Sequence, residues 1–199
     1  MSAAHRDAQG AKLGMWLFLF TEMMLFGGLF LLYSAYRSQH PLEFHAASEE
    51  LNVVIGVFNT LVLLTSSCTL ALSLSAVDKG NTRRAQRLLT ATLLLGALFL
   101  ADKGYEWSIE IGRGIYPNGP QLLKRGPGEI LFFGLYFTMT GLHGVHVLAG
   151  MALLSFALIQ LRRGRIRQGD SGFLENAGLY WHLVDVIWIF LLPLFYLAA

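Results

Sequence analysis

The sequence predicts an all-α integral membrane bundle of five transmembrane helices, with the N-terminus inside and the C-terminus outside. Three observations lead there. Only 14% of the 199 residues are charged, against ~25% in soluble domains, while 54% are hydrophobic. The apolar residues fall into five runs, each longer than the ~20 residues a helix needs to cross a bilayer. The basic residues collect between the runs and favour one side: ten Lys and Arg lie on the side of the N-terminus and four on the other. The basic side faces the cytoplasm by the positive-inside rule. A single membrane domain over 1–199 is expected, with spans at about 13–36, 51–77, 88–111, 129–161 and 173–199.

Composition also excludes some functions. A net charge of +2 does not suggest a nucleic-acid partner. The lone Cys68 can form neither an internal disulfide nor a thiolate metal cluster. The first apolar run is too long for a signal-peptide core and contains Glu22, so it is expected to be a retained helix. No nucleotide loop, nucleophile elbow or zinc-protease motif is present.

Glu22 stands about nine residues into span one, roughly 14 Å deep, with Thr21 before it. With no cation nearby in sequence, it reads either as a proton-exchanging or lipid-cleft carboxylate, or as a neutral acid bonded to a neighbouring helix. The segment 37–50 carries three glutamates and two histidines and is expected to be a partly helical outer feature. Span two is rich in small hydroxyls, from Thr60 to Ser75, which suit close helix packing. Arg83, Arg84 and Arg87 are placed in the loop before span three.

Span three ends in ADKGYEWSIEIG. Lys103 and Glu106 are three apart and Asp102 and Glu106 four apart, so Lys103 can neutralise one acid within its own helix. The segment 112–128 holds three of the five prolines and is expected to be an outer loop, with Pro127 opening span four. In span four, GLHGVHVLAG puts His143 and His146 on one face beside Gly141, Gly144 and Gly150. The two histidines, joined by His182, are conceivable metal or haem ligands, but the glycines describe tight helix packing that leaves little room for an open site. The run RRGRIRQGD is a topology anchor, with lipid headgroups as a secondary reading.

Span five, with the segment LYWHLVDVIWIFLLPLFYLAA, carries His182 and Asp185 three apart on one face. A bare Asp at a helix centre costs ~2.5–3.5 kcal/mol on insertion scales, so Asp185 needs a partner, and His182 is the nearest. Pro193 is expected to bend the outer end. These residues fit either a small proton-linked transporter or a non-catalytic subunit of a larger membrane complex.

Several segments resemble one family. YWHLVDVIWIFL, TGLHGVHVLAG, FLFTEMMLFGGLF, NTLVLLTSSCTLALSLSAVDKG and KGYEW, in their order along the chain, are similar to subunit III of the haem–copper oxidases. The resemblance runs from about residue 13 to 197. It implies that Glu22 is the family's buried carboxylate, that Glu106 is its span-three glutamate, and that His143, His146, His182 and Asp185 are polar positions of its signatures. It implies no catalytic residue, haem, copper or other metal in this chain. Those redox centres would belong to partner subunits: subunit I, the main contact, subunit II, and a cytochrome-containing assembly.

The resemblance further implies bound phospholipid, support of proton uptake, and residence in a bacterial cytoplasmic membrane. Many relatives have seven helices, so the two at the N-terminus are missing here, and the wall they form is either open or supplied by another chain. Thr21 stands where many relatives have Ser. Glu22 favours a cytochrome c oxidase over quinol-oxidase members. A quinol-oxidase or nitric-oxide reductase subunit and a free-standing transporter are the rival expectations.

Overall fold

A computed structural model describes residues 3–166 and 171–197, with side chains from residue 10 onward. Its helices are α1 (Ala3–Gln39), α2 (Pro41–Glu49), α3 (Val53–Asp78), α4 (Thr82–Gly112), α5 (Pro127–Arg162) and α6 (Gly172–Tyr196), with a 3-10 turn at Leu122–Lys124. Among the described residues there is no strand, and five helices are long and apolar enough to span a bilayer. The expected ends of two features, Arg167 in the basic run and Ala198–Ala199 in span five, lie outside the described residues.

The expected spans fall on these helices, but α4 begins six residues earlier than 88. The Asn81 carboxamide accepts from the Arg84 backbone N–H at 3.1 Å and caps the helix. Arg83, Arg84 and Arg87 are therefore helical and not in a loop, which corrects the sequence expectation. The segment 37–50 is indeed partly helical. Pro41 opens α2, and Phe44 and Ala47 of that helix are fully buried.

The core is the bundle of α3, α4, α5 and α6. Trp181 of α6 is wholly buried at the point where all four meet. Its indole N–H donates to Ser66 of α3 at 3.0 Å. Its two ring edges rest on glycines: a Cβ at Gly96 of α4 would lie 2.8 Å from the ring, and one at Gly150 of α5 2.7 Å. Only glycine permits so close an approach. Gly141 likewise packs on Trp107, whereas Gly144 faces open space, so the expected small-residue packing holds for two of the three span-four glycines.

α1 is attached differently. Its fully buried side chains are Leu19, Phe26 and Tyr33, spaced by sevens along one narrow stripe against α5 and α6. Trp16, Leu17, Phe20, Met23, Met24 and Leu31 are exposed. Tyr33 ties the C-terminal end of α1 by donating to the Leu194 carbonyl, beside Pro193 within α6.

The segments before α3 and before α5 are bolted to the start of α5. Its N-terminus has no side-chain cap of its own, and Glu43 of α2 accepts from the Gly128 N–H there, a carboxylate at the positive end of the helix. Arg125 forms a fork on Glu50 and also reaches Glu129 at 3.0 Å. The Glu50 hydrogen bonds hold the Arg125 guanidinium above its ordinary pKa.

Candidate functional site

Glu22 lies on the buried stripe of α1, between Leu19 and Phe26. Its Oε2 is 2.8 Å from His146 Nε2 on α5, and both side chains keep a small opening, 15% and 13%. Glu22 therefore has an imidazole partner, which corrects the expectation of no cation nearby. His146 Nδ1 is 2.7 Å from the Leu142 carbonyl one turn back. A carbonyl only accepts, so this assigns a proton to Nδ1. One further proton then lies between Nε2 and the carboxylate, and the pair is neutral overall whichever partner holds it. Phe26 meets the imidazole edge-on at 5.2 Å, and the Tyr180 hydroxyl donates to the His146 carbonyl at 3.2 Å. Thr21 does not join the site. It is exposed, and its hydroxyl donates to Phe18 O at 2.7 Å.

The span-three cluster forms, with different members. Lys103 Nζ donates to Glu106 Oε2 at 2.9 Å, to Tyr136 Oη at 3.0 Å and to Tyr196 Oη at 2.7 Å. Glu106 Oε1 accepts from the same two hydroxyls at 2.9 and 2.6 Å. Three donors and both carboxylate oxygens are thus used, which is what a buried ion pair requires. The ammonium also lies 5.3 Å from the Trp188 ring centroid. Asp102 is not part of it; its Oδ2 is buried without a partner. Consecutive helical residues are rotated by about 100°, so Asp102 and Lys103 cannot point the same way.

The histidines are also separated. His143 is wholly buried among Phe99 and Trp188, at 5.6 and 5.2 Å between ring centroids, and neither ring nitrogen has a partner. His146 instead faces α1. Three residues amount to about 60° around a helix, enough here to assign the two to different interfaces. His143 packs on Trp188 of α6, and His146 binds Glu22 of α1 while its ring stacks on Tyr180 of α6. Among the described residues no group of three potential ligands is placed to hold a metal.

The expected His182–Asp185 pair does not form either. His182 Nδ1 lies 2.5 Å from Ser67 Oγ of α3, and both Asp185 oxygens are buried without a hydrogen bond. The neighbouring helix offers His182 a hydroxyl within hydrogen-bond reach. Ser67→Ala is accordingly expected to lower stability by about 1 kcal/mol, read as a fall in melting temperature, and Ser67→Thr to restore most of it. An unchanged melting temperature in Ser67→Ala would show that this bond carries no stability. Tyr136, Tyr196 and Ser67 were not singled out as site residues by sequence reasoning, because each acts on a residue far away in the chain.

The model of the family "Cytochrome c oxidase subunit III" matches residues 2–199. The chain belongs to the cytochrome c oxidase subunit III family. Relatives in this family include cytochrome c oxidase subunit 3 of Thermostichus vulcanus, 31% identical over 98% of this chain and 91% of the relative. Cytochrome c oxidase subunit 3 of Synechocystis is 32% identical over 92% of this chain and 74% of its own length. Cytochrome bo(3) ubiquinol oxidase subunit 3 of Pseudomonas aeruginosa is 30% identical over 98% and 88%. Membership in the subunit III family makes this a multi-pass membrane component of a respiratory oxidase complex. The family resemblance expected from the sequence is thereby confirmed over nearly the whole chain.

Proposed function

We propose that this chain is the non-catalytic subunit III of a bacterial aerobic oxidase of the cytochrome c type, in the cytoplasmic membrane with its N-terminus inside. Haem and copper reside in its partner subunits. The chain sits against subunit I, holds phospholipid, and keeps the neighbouring proton-entry region hydrated and in shape. The observation that carries this is the α1 junction. A neutral Glu22–His146 pair stands slightly open on a helix that also exposes Trp16, Leu17, Phe20, Met23, Met24 and Leu31. Such a helix suits a lipid-filled groove or a larger companion.

Glu22→Gln tests the site. The amide can still reach His146 Nε2, so the complex is expected to assemble at normal yield. Its oxygen reduction is expected to begin normally and to decay over fewer turnovers, followed by oxygen consumption. Loss of the complex in this variant would contradict the reading. Co-purification decides the broader question: the proposal requires haem-bearing subunits, whereas solute flux by the lone chain in liposomes would make it a transporter. A quinol-oxidase role is favoured by one observation, the Pseudomonas relative's name. Reduction of the purified complex by quinol but not by cytochrome c would select it.

A further inference from the structure

We infer that Arg83, Arg87 and Arg162 form a binding site for the phosphate headgroup of an anionic phospholipid, in the leaflet at the end of the bundle that carries the N-terminus. The three side chains line one groove of about 390 Å³ between the start of α4 and the end of α5, together with Gln86, Thr90, Ala91 and Leu94. None of the lining residues is acidic. Among the described residues none of the three guanidiniums has an ion-pair or hydrogen-bond partner.

For Arg83 and Arg87 the placement is unfavourable unless an anion is present. Arg83 and Arg87 are four apart and stand one above the other on α4. They occupy the first turns of that helix, which has no acidic residue there. This is the positive end of the helix dipole, where cations are disfavoured and anions favoured. Arg162 brings a third like charge from α5, whose last turn ends beside them. A phosphodiester relieves all three repulsions, and guanidinium forks match its oxygens.

The groove also has the polarity of a lipid from head to tail. Down one face of α4 the lining runs from Arg83 and Arg87, through Thr90, to Ala91 and the exposed Leu94, about 16 Å in all. A free phosphate has no use for the apolar lower part. Topology alone does not require this arrangement. Arg84, Arg163 and Lys79 are exposed at the same end and lie outside this groove; Lys79 and Arg84 share a smaller one of about 180 Å³ with Asn81, and no third cation joins them there, so these residues anchor the helices without a three-cation cluster. The inference does not depend on the role proposed for Glu22.

The test uses the full chain with the complex it brings from the membrane, delipidated in mild detergent. It is titrated with phosphatidylglycerol or phosphatidylcholine, and bound lipid is counted by native mass spectrometry. The triple variant R83Q/R87Q/R162Q is expected to bind phosphatidylglycerol about tenfold more weakly or worse. The charge-matched variant K79Q/R84Q/R163Q is expected to change by less than about threefold. Should the first triple fail to fold, Arg87→Gln alone is expected to weaken binding about threefold, with Arg87→Lys in between. Equal losses in the two triples, or in the fallback no loss with Arg87→Gln, would overturn the site. So would equal binding of phosphatidylcholine, or full displacement of the lipid by millimolar inorganic phosphate.

Discussion

Lys103→Met is expected to destabilise the bundle by about 3–5 kcal/mol, because it leaves the Glu106 carboxylate buried with no counter-charge. Methionine nearly matches the volume of lysine, so the loss is electrostatic and not a cavity. Glu106 is only 4% exposed. Tyr136 and Tyr196 still donate to it, but two neutral hydroxyls do not replace an ammonium. Adding Glu106→Gln to this variant removes the orphan charge while keeping an acceptor for both tyrosines. The double variant K103M/E106Q is therefore expected to recover most of the loss. Thermal unfolding in detergent of the four members of this cycle checks it. If K103M melts with the wild type, the ion pair contributes nothing to the fold.

The second large effect is at the centre of the bundle. Trp181→Ala is expected to cost about 3 kcal/mol, toward the lower end for such truncations. In a bilayer the exposed surface meets lipid tails and not water, so the cost is mostly lost contact and the cavity itself. The indole touches α3, α4 and α5 at once, through Ser66, Gly96 and Gly150. Two glycines with nothing to pack against cannot collapse onto the gap. Trp181→Phe should lose less, chiefly the Ser66 hydrogen bond and part of the ring contact. Gly150→Leu, which forces a side chain into the ring, is expected to be as harmful as removing the ring. Melting temperatures that rank Phe below Ala would refute this account.

The helices were legible because long apolar runs bounded by charge carry their own signal. The start of α4 was not, because its arginines look like loop residues until Asn81 is recognised as a cap. At the sites the i, i+3 rule succeeded for Lys103 and Glu106 and failed for His182 and Asp185. In the first case the partners across the interface, Tyr136 and Tyr196, bond both charges at once and hold the pair together. In the second, Ser67 on α3 took the imidazole. Glu22 and His146 are 124 residues apart, and their meeting depends on how far α1 slides along α5. Nothing in local periodicity encodes that register, so the partner of the most suggestive acid in the chain could not be read in advance.

The single proton shared by Glu22 and His146 has an electrical consequence. Its passage from imidazole to carboxylate leaves the net charge of the pair at zero but removes two opposite charges and the dipole between them. The low dielectric of the bilayer therefore favours the form without charges, and the position of the proton follows whatever nearby field stabilises the charged form, such as that of a water molecule entering the groove. The carbonyl stretch of a protonated Glu22, absent from Glu22→Gln in infrared difference spectra, would report that field from inside the membrane.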